Sequence, residues 1–121
     1  MKSYRDLLVW QKSIDLVVEA YKVTGRFPKD EQFALVNQMR RAVVSIPSNI
    51  AEGYARRTRK EYIQFVQIAF GSGAELETQL LISRKLGYLS EERFKNLNDK
   101  LSEILRMLNG LLSSLRGGTN G

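Results

Sequence analysis

Residues 38–53 read QMRRAVVSIPSNIAEG, a helical-period segment with a proline in its middle. An interior proline removes a backbone donor and clashes with the carbonyl four residues back, here that of Val43, at a cost of about 3 kcal/mol. A helix keeps such a residue only where surrounding packing over-determines it or where a bend serves a purpose. Pro47 is therefore the expected kink of this helix, and the residues around it are the first place to look for function. Asn49 and Glu52 stand one turn apart just beyond it.

The rest of the chain also reads as helix. No stretch sustains the alternation of a strand, and the two prolines fall in one loop and this kink. Helices are expected over about residues 6–23, 29–55, 59–86 and 91–115. In the first, Leu7, Trp10, Ile14, Val17 and Tyr21 recur at three- and four-residue steps, and Phe27-Pro28 opens the second. Leu35, Met39, Ala42, Val43, Ile46, Ile50 and Tyr54 line the apolar face of the second helix. Thr58 with Glu61 is a capping-box pattern, Gly87-Tyr88 a left-handed helix stop, and Ser90-Glu91-Glu92 a cap with favourable charge. The fourth helix carries a heptad seam of Phe94, Leu97, Leu101, Ile104, Leu108, Leu111 and Leu115.

Four such helices joined by short links imply an all-α, antiparallel up-down-up-down four-helix bundle over residues 1–116, with a disordered tail at 117–121. Leu105 and Leu112 widen the fourth stripe, while Tyr62, Phe65, Val66, Ile68, Phe70 and Leu76 point in more than one direction. A bundle of single chains needs one apolar face per helix, so the surplus implies self-association.

Composition narrows the chemistry. At 121 residues the chain is one domain, long enough to build a core unaided. It has no cysteine and no histidine, which removes disulfides, thiolate metal sites, the commonest general base and every Ser-His-Asp arrangement. No metal, cofactor or catalytic residue is expected, and the chain is read as no enzyme. No signal-like or membrane-length apolar run occurs, so a cytoplasmic protein with no membrane contact is expected. The net charge is +6, and residues 31–60 hold six basic against two acidic side chains. A localised excess of that kind suits an anionic partner.

Two residue sets could carry function. Ser45, Asn49 and Glu52 share one face of the second helix, and Ser72, Glu75 and Gln79 one face of the third. If these faces meet they form a polar layer that fixes register or oligomer state. Gly71 and Gly73 beside that layer are expected to admit another backbone, that of the Pro47 segment. The second set is Arg56, Arg57, Arg59 and Lys60 at the turn between the second and third helices, with Arg40 and Arg41 earlier. Arginine forks suit phosphate, the cluster is read as lacking nearby acids, and Tyr54 and Tyr62 flank it as stacking candidates. RNA or DNA contact through these residues is expected.

The blocks QMRRAVVSIPSNIAEGYARRT, EYIQFVQIAFGSGAELETQL and LGYLSEE, at 38–58, 61–80 and 86–92, closely resemble a family of small bacterial proteins. These are the four-helix-bundle proteins encoded by intervening sequences within 23S ribosomal RNA genes. The match runs over about residues 4–115, though the family usually has a bulkier residue where Gly73 stands. The family is also related to the accessory variability determinant (Avd) proteins of diversity-generating retroelements. The resemblance implies a ring-like homo-oligomer, commonly a pentamer, with a basic surface and no catalytic activity. It also implies an alternative role, a protein-interaction scaffold docking a nucleic-acid enzyme such as a reverse transcriptase.

Overall fold

The structure is a computed structural model that describes residues 3–117. Among them lie four α-helices, α1 (Leu8–Thr24), α2 (Leu35–Tyr54), α3 (Arg59–Lys85) and α4 (Glu91–Leu115), two short 3-10 turns, Tyr4–Asp6 and Lys29–Glu31, and no strand. Helix α1 packs on α2 and α4, and α3 packs on the same two, while the diagonal pairs stay apart. That cycle is the arrangement of a four-helix bundle, and links as short as residues 55–58 and 86–90 turn consecutive helices antiparallel. No described helix is long and apolar enough to cross a membrane. Of the expected tail, Gly117 closes α4 with a φ of 73°, and residues 118–121 lie outside the described residues.

The helix stops and starts are chemical. The Thr58 hydroxyl accepts from the Glu61 amide at 3.1 Å and donates to its carboxylate at 2.9 Å. Ser90 caps α4 by accepting from the Arg93 amide. At the end of α3, Gly87 takes a φ of +82°, so that its amide reaches the Arg84 carbonyl and that of Tyr88 the Ser83 carbonyl. This is a Schellman stop, and Tyr88 closes it against Phe27.

Two boundaries differ from expectation. The second helix begins at Leu35, because Pro28 opens only a 3-10 turn and Ala34 adopts φ −125°, ψ −102°. Apart from Glu31, which accepts from the Tyr88 hydroxyl at 2.8 Å, the stretch has little apolar cover: Phe33 is 96% exposed, and a helical turn without a packed apolar face is marginal. Helix α1 starts at Leu8 because Ser3 caps a separate 3-10 turn ahead of it.

The face of α1 also differs. Its buried positions are Val9, Ser13, Leu16, Ala20 and Thr24, while Ile14 and Tyr21 lie outside. Ser13 and Thr24 face the core because each donates its hydroxyl to the carbonyl four residues back, Val9 and Ala20, at 2.7 Å. On α4 the buried stripe runs Leu97, Leu101, Ile104, Leu108 and then Leu112 rather than Leu111. A straight helix of 3.6 residues per turn drifts off a heptad in that direction.

Pro47 is buried inside α2, which runs without interruption from Leu35 to Tyr54. The close approach of α2 to α3 lies elsewhere than expected. A Cβ on Gly53 would stand 2.7 Å from the Phe65 Cβ and 3.1 Å from Tyr62 Cδ1. On Gly73 it would meet Leu105 Cδ2 of α4 at 2.5 Å, and on Gly71 it would meet nothing within 4 Å. Opposite signs should follow. Gly71→Ala is expected to raise unfolding stability by about 1 kcal/mol through helix propensity. Gly53→Ala should lower it by about 1–2 kcal/mol, because overpacking against a neighbouring Cβ outweighs that gain. Urea unfolding of the two variants measures both, and equal shifts would show that Gly53 is not a close-packing position.

Candidate nucleic-acid interface

The turn joining α2 to α3 is only residues 55–58, and Thr58 fixes its exit. Arg56, Arg57, Arg59 and Lys60 are all exposed there. Arg56 is the exception in chemistry: its guanidinium donates to Glu52 at 2.6 Å and lies 4.7 Å above the Phe65 ring. The expectation of a cluster free of acids therefore fails at Arg56, because one helical turn brings Glu52 alongside. Glu52 in turn is exposed and does not join the polar layer. Arg57, Arg59 and Lys60 make no ion pair among the described residues.

Two further cations reach the same end of the bundle. The 3-10 turn holding Arg5 packs on α2, where Tyr4 lines a surface groove with Pro47, Ser48 and Ala51. Gly73 lies opposite Leu101 and Leu105, and this antiparallel register carries Arg116 level with Arg59. Arg5 and Arg116 are exposed and have no ion pair among the described residues. Sequence reasoning missed both, since only the topology brings the two chain ends to this turn.

Arg40 and Arg41 stand apart from the group, some fifteen residues or about 22 Å back along α2. Arg40 is turned inward to the end of α1. It donates to the Thr24 hydroxyl at 3.0 Å and the Tyr21 carbonyl at 3.2 Å, and covers the Tyr21 ring at 4.4 Å. It thus adds a second donor to the Tyr21 carbonyl, which also accepts from the Gly25 amide, and ties α2 to the end of α1. Arg41 is exposed at the mouth of a groove between α2 and α3.

Tyr54 and Tyr62 meet edge to face, with ring centroids 5.9 Å apart. Burial, then the neighbouring Tyr54, raise the Tyr62 pKa above the usual 10.0. The fold therefore favours the neutral phenol. Its stabilising contribution is complete below pH 10 and is lost as pH rises through the raised value. Phenolate absorbance near 295 nm should show a tyrosine ionising late, with thermal stability falling above about pH 10. If every tyrosine ionised at the free value, the packing assigned to Tyr62 would be wrong.

The polar layer forms in part. Ser45 and Ser72 share a hydrogen bond of 2.8 Å across α2 and α3, and Asn49 donates to both the carbonyl and the hydroxyl of Ser45 at 2.8 Å. Glu75 accepts from Gln79, which is 4% exposed and whose own amide oxygen has no partner among the described residues. The register that pairs Ser45 with Ser72 separates Glu52 from Glu75 by roughly ten residues along the helices, or about 15 Å. The two carboxylates are not brought together.

The sequence profile of the 23S rRNA-intervening sequence proteins matches residues 5–110. The chain belongs to that family. No curated protein matches it significantly. Among solved structures it is similar to a Bacteroides thetaiotaomicron VPI-5482 protein, described as one of unknown function from the S23 ribosomal protein family. The TM-score is 0.81 at 23% identity, over 88% of this chain and 96% of that one, a likeness of fold.

Proposed function

We propose that this member of the intervening-sequence family is a non-catalytic, oligomeric nucleic-acid-binding protein that contacts its partner with the basic end of the bundle. One observation carries the reading: Arg57, Arg59 and Lys60, with Arg5 and Arg116 beside them, are exposed on one end without ion pairs among the described residues. Cations left unneutralised on a rigid scaffold suit a polyanion, and each phosphate contact releases counterions. The family description names 23S rRNA, so RNA is the first nucleic acid to test. The separation of Glu52 from Glu75 supports a role without catalysis.

The oligomer rests on apolar side chains left in water. Val18 and Tyr21 on α1, and Ile68, Ile82 and Leu86 on α3, are exposed on two unlike faces. Unlike faces that meet head to tail build a ring where the rotation between copies closes, as in the pentamer that the resemblance implies. Sedimentation equilibrium giving the mass of one chain would remove this part.

Replacing Arg57, Arg59 and Lys60 together by glutamine is expected to weaken RNA binding at every sequence tested. The log-affinity against log-salt slope should become shallower by about 2–3, as three phosphate contacts are lost. Fluorescence anisotropy from 50 to 200 mM salt reads this directly, and an unchanged slope removes the assignment. A second reading, a scaffold docking a nucleic-acid enzyme such as a reverse transcriptase, is favoured by Phe33, a large apolar side chain 96% exposed. It predicts feeble affinity for bare RNA and protein association that Phe33→Ser abolishes.

A further inference from the structure

We infer that the basic end grips the phosphate backbone of a double helix and does not read unpaired bases; this rests on the reading of nucleic acid as the partner. Proteins that hold single strands offer open aromatic faces on which bases stack, worth about 1–3 kcal/mol per base. Here each aromatic residue of that end contacts another group of its own chain and is at least partly buried. Tyr54 meets Tyr62 edge-on, Tyr4 meets Trp10 in the same way at 5.3 Å, and Phe65 lies beneath Arg56.

The same holds through the molecule. The chain has five tyrosines, five phenylalanines and one tryptophan. Beyond those just named, Phe27 pairs with Tyr88, Arg40 covers Tyr21, Arg84 covers Phe94 at 4.3 Å, and Phe70 packs against the core. Tyr21, 42% exposed beneath Arg40, and Phe33, 96% exposed, are the open ones; Phe33 precedes the start of α2 whereas the cations follow its end. The twenty residues of α2 put about 30 Å between the two. A strand stacked on Phe33 would leave the cations behind.

The cations also have the spread that a duplex needs. They issue from three places: the 3-10 turn packed on α2, the α2–α3 turn, and the end of α4. Helices in a bundle lie 8–10 Å apart, so the array spans roughly 20 Å on a rigid support. That is enough to touch phosphates on both strands across a groove, whether the major groove of B-form DNA, about 12 Å wide, or the wide, shallow minor groove of A-form RNA. A duplex presents one charge per about 1.7 Å of axis, against about 3.4 Å for one strand, so contacts made by charge alone favour it.

The test is fluorescence anisotropy of the full chain at 100 mM salt against a 20-base-pair RNA duplex and against one of its strands, chosen to be unstructured. Inorganic polyphosphate, which has phosphates but no bases, serves as competitor. The expected result is at least tenfold tighter binding to the duplex and displacement by polyphosphate. A ratio near one, or tighter binding to the single strand, overturns the duplex assignment and leaves nucleic-acid binding standing. Binding to neither RNA at 50 mM salt overturns the underlying reading as well.

Discussion

Leu101→Ala is expected to lower the unfolding free energy by about 4 kcal/mol, in the upper part of the range for such truncations. Leu101 is fully buried on α4, and its Cδ1 lies 3.6 Å from where a Cβ on Gly73 would be. A cavity costs more when its walls cannot collapse into it, and the facing wall is a glycine with no side chain to move. Leu105, which already covers Gly73, is placed to swing inward. Against a typical domain stability of about 5–15 kcal/mol the loss is large enough to shift a urea midpoint plainly, with the m-value unchanged. A cost below about 2 kcal/mol would show that Leu105 fills the space.

How far the sequence revealed this fold depends on what each residue has to do. Helix α2 was legible: Met39, Ala42, Val43, Ile46 and Ile50 were expected inside and are buried. On α1 the buried face is rotated away from the largest apolar residues, because size alone does not decide which face is covered. Ser13 and Thr24 bury themselves by bonding their own helix, so Ile14 and Tyr21 stay outside. The glycines misled in a related way. Gly71, Gly73 and Gly53 are the same residue, and only the neighbours brought by folding distinguish open space, a movable leucine tip and a Phe65 Cβ. At the candidate interface Arg57, Arg59 and Lys60 were visible as a run in the sequence. Arg5 and Arg116 were not, since they are more than a hundred residues apart and meet only through topology. Arg40 shows the converse: a charge that looks solvent-bound in sequence is bonded to Thr24 and Tyr21 in space.

Pro47→Ala is expected to stabilise the protein by about 1–1.5 kcal/mol, raising its melting temperature by roughly 4–8 °C. Alanine restores the amide that can donate to the Val43 carbonyl and removes the ring that presses on it. The opposing loss is the packing of the ring, a few methylenes at about 0.8 kcal/mol each. Pro47 is itself buried, but its neighbours Tyr4, Trp10, Ile14 and Val44 line a shallow surface groove and are partly exposed, so they can shift to fill the space. The gain therefore exceeds the loss for the isolated chain. Ile14 and Val44 are also exposed apolar residues on the flank proposed to meet a second copy, so Pro47 sits where a bend in α2 would shape that contact. If it does, the same variant should melt higher at low protein concentration and yet dissociate more readily in sedimentation. A Pro47→Ala chain that is both more stable and equally associated would leave the proline as a packing accident. One that is less stable would show that the surrounding helices require the bend.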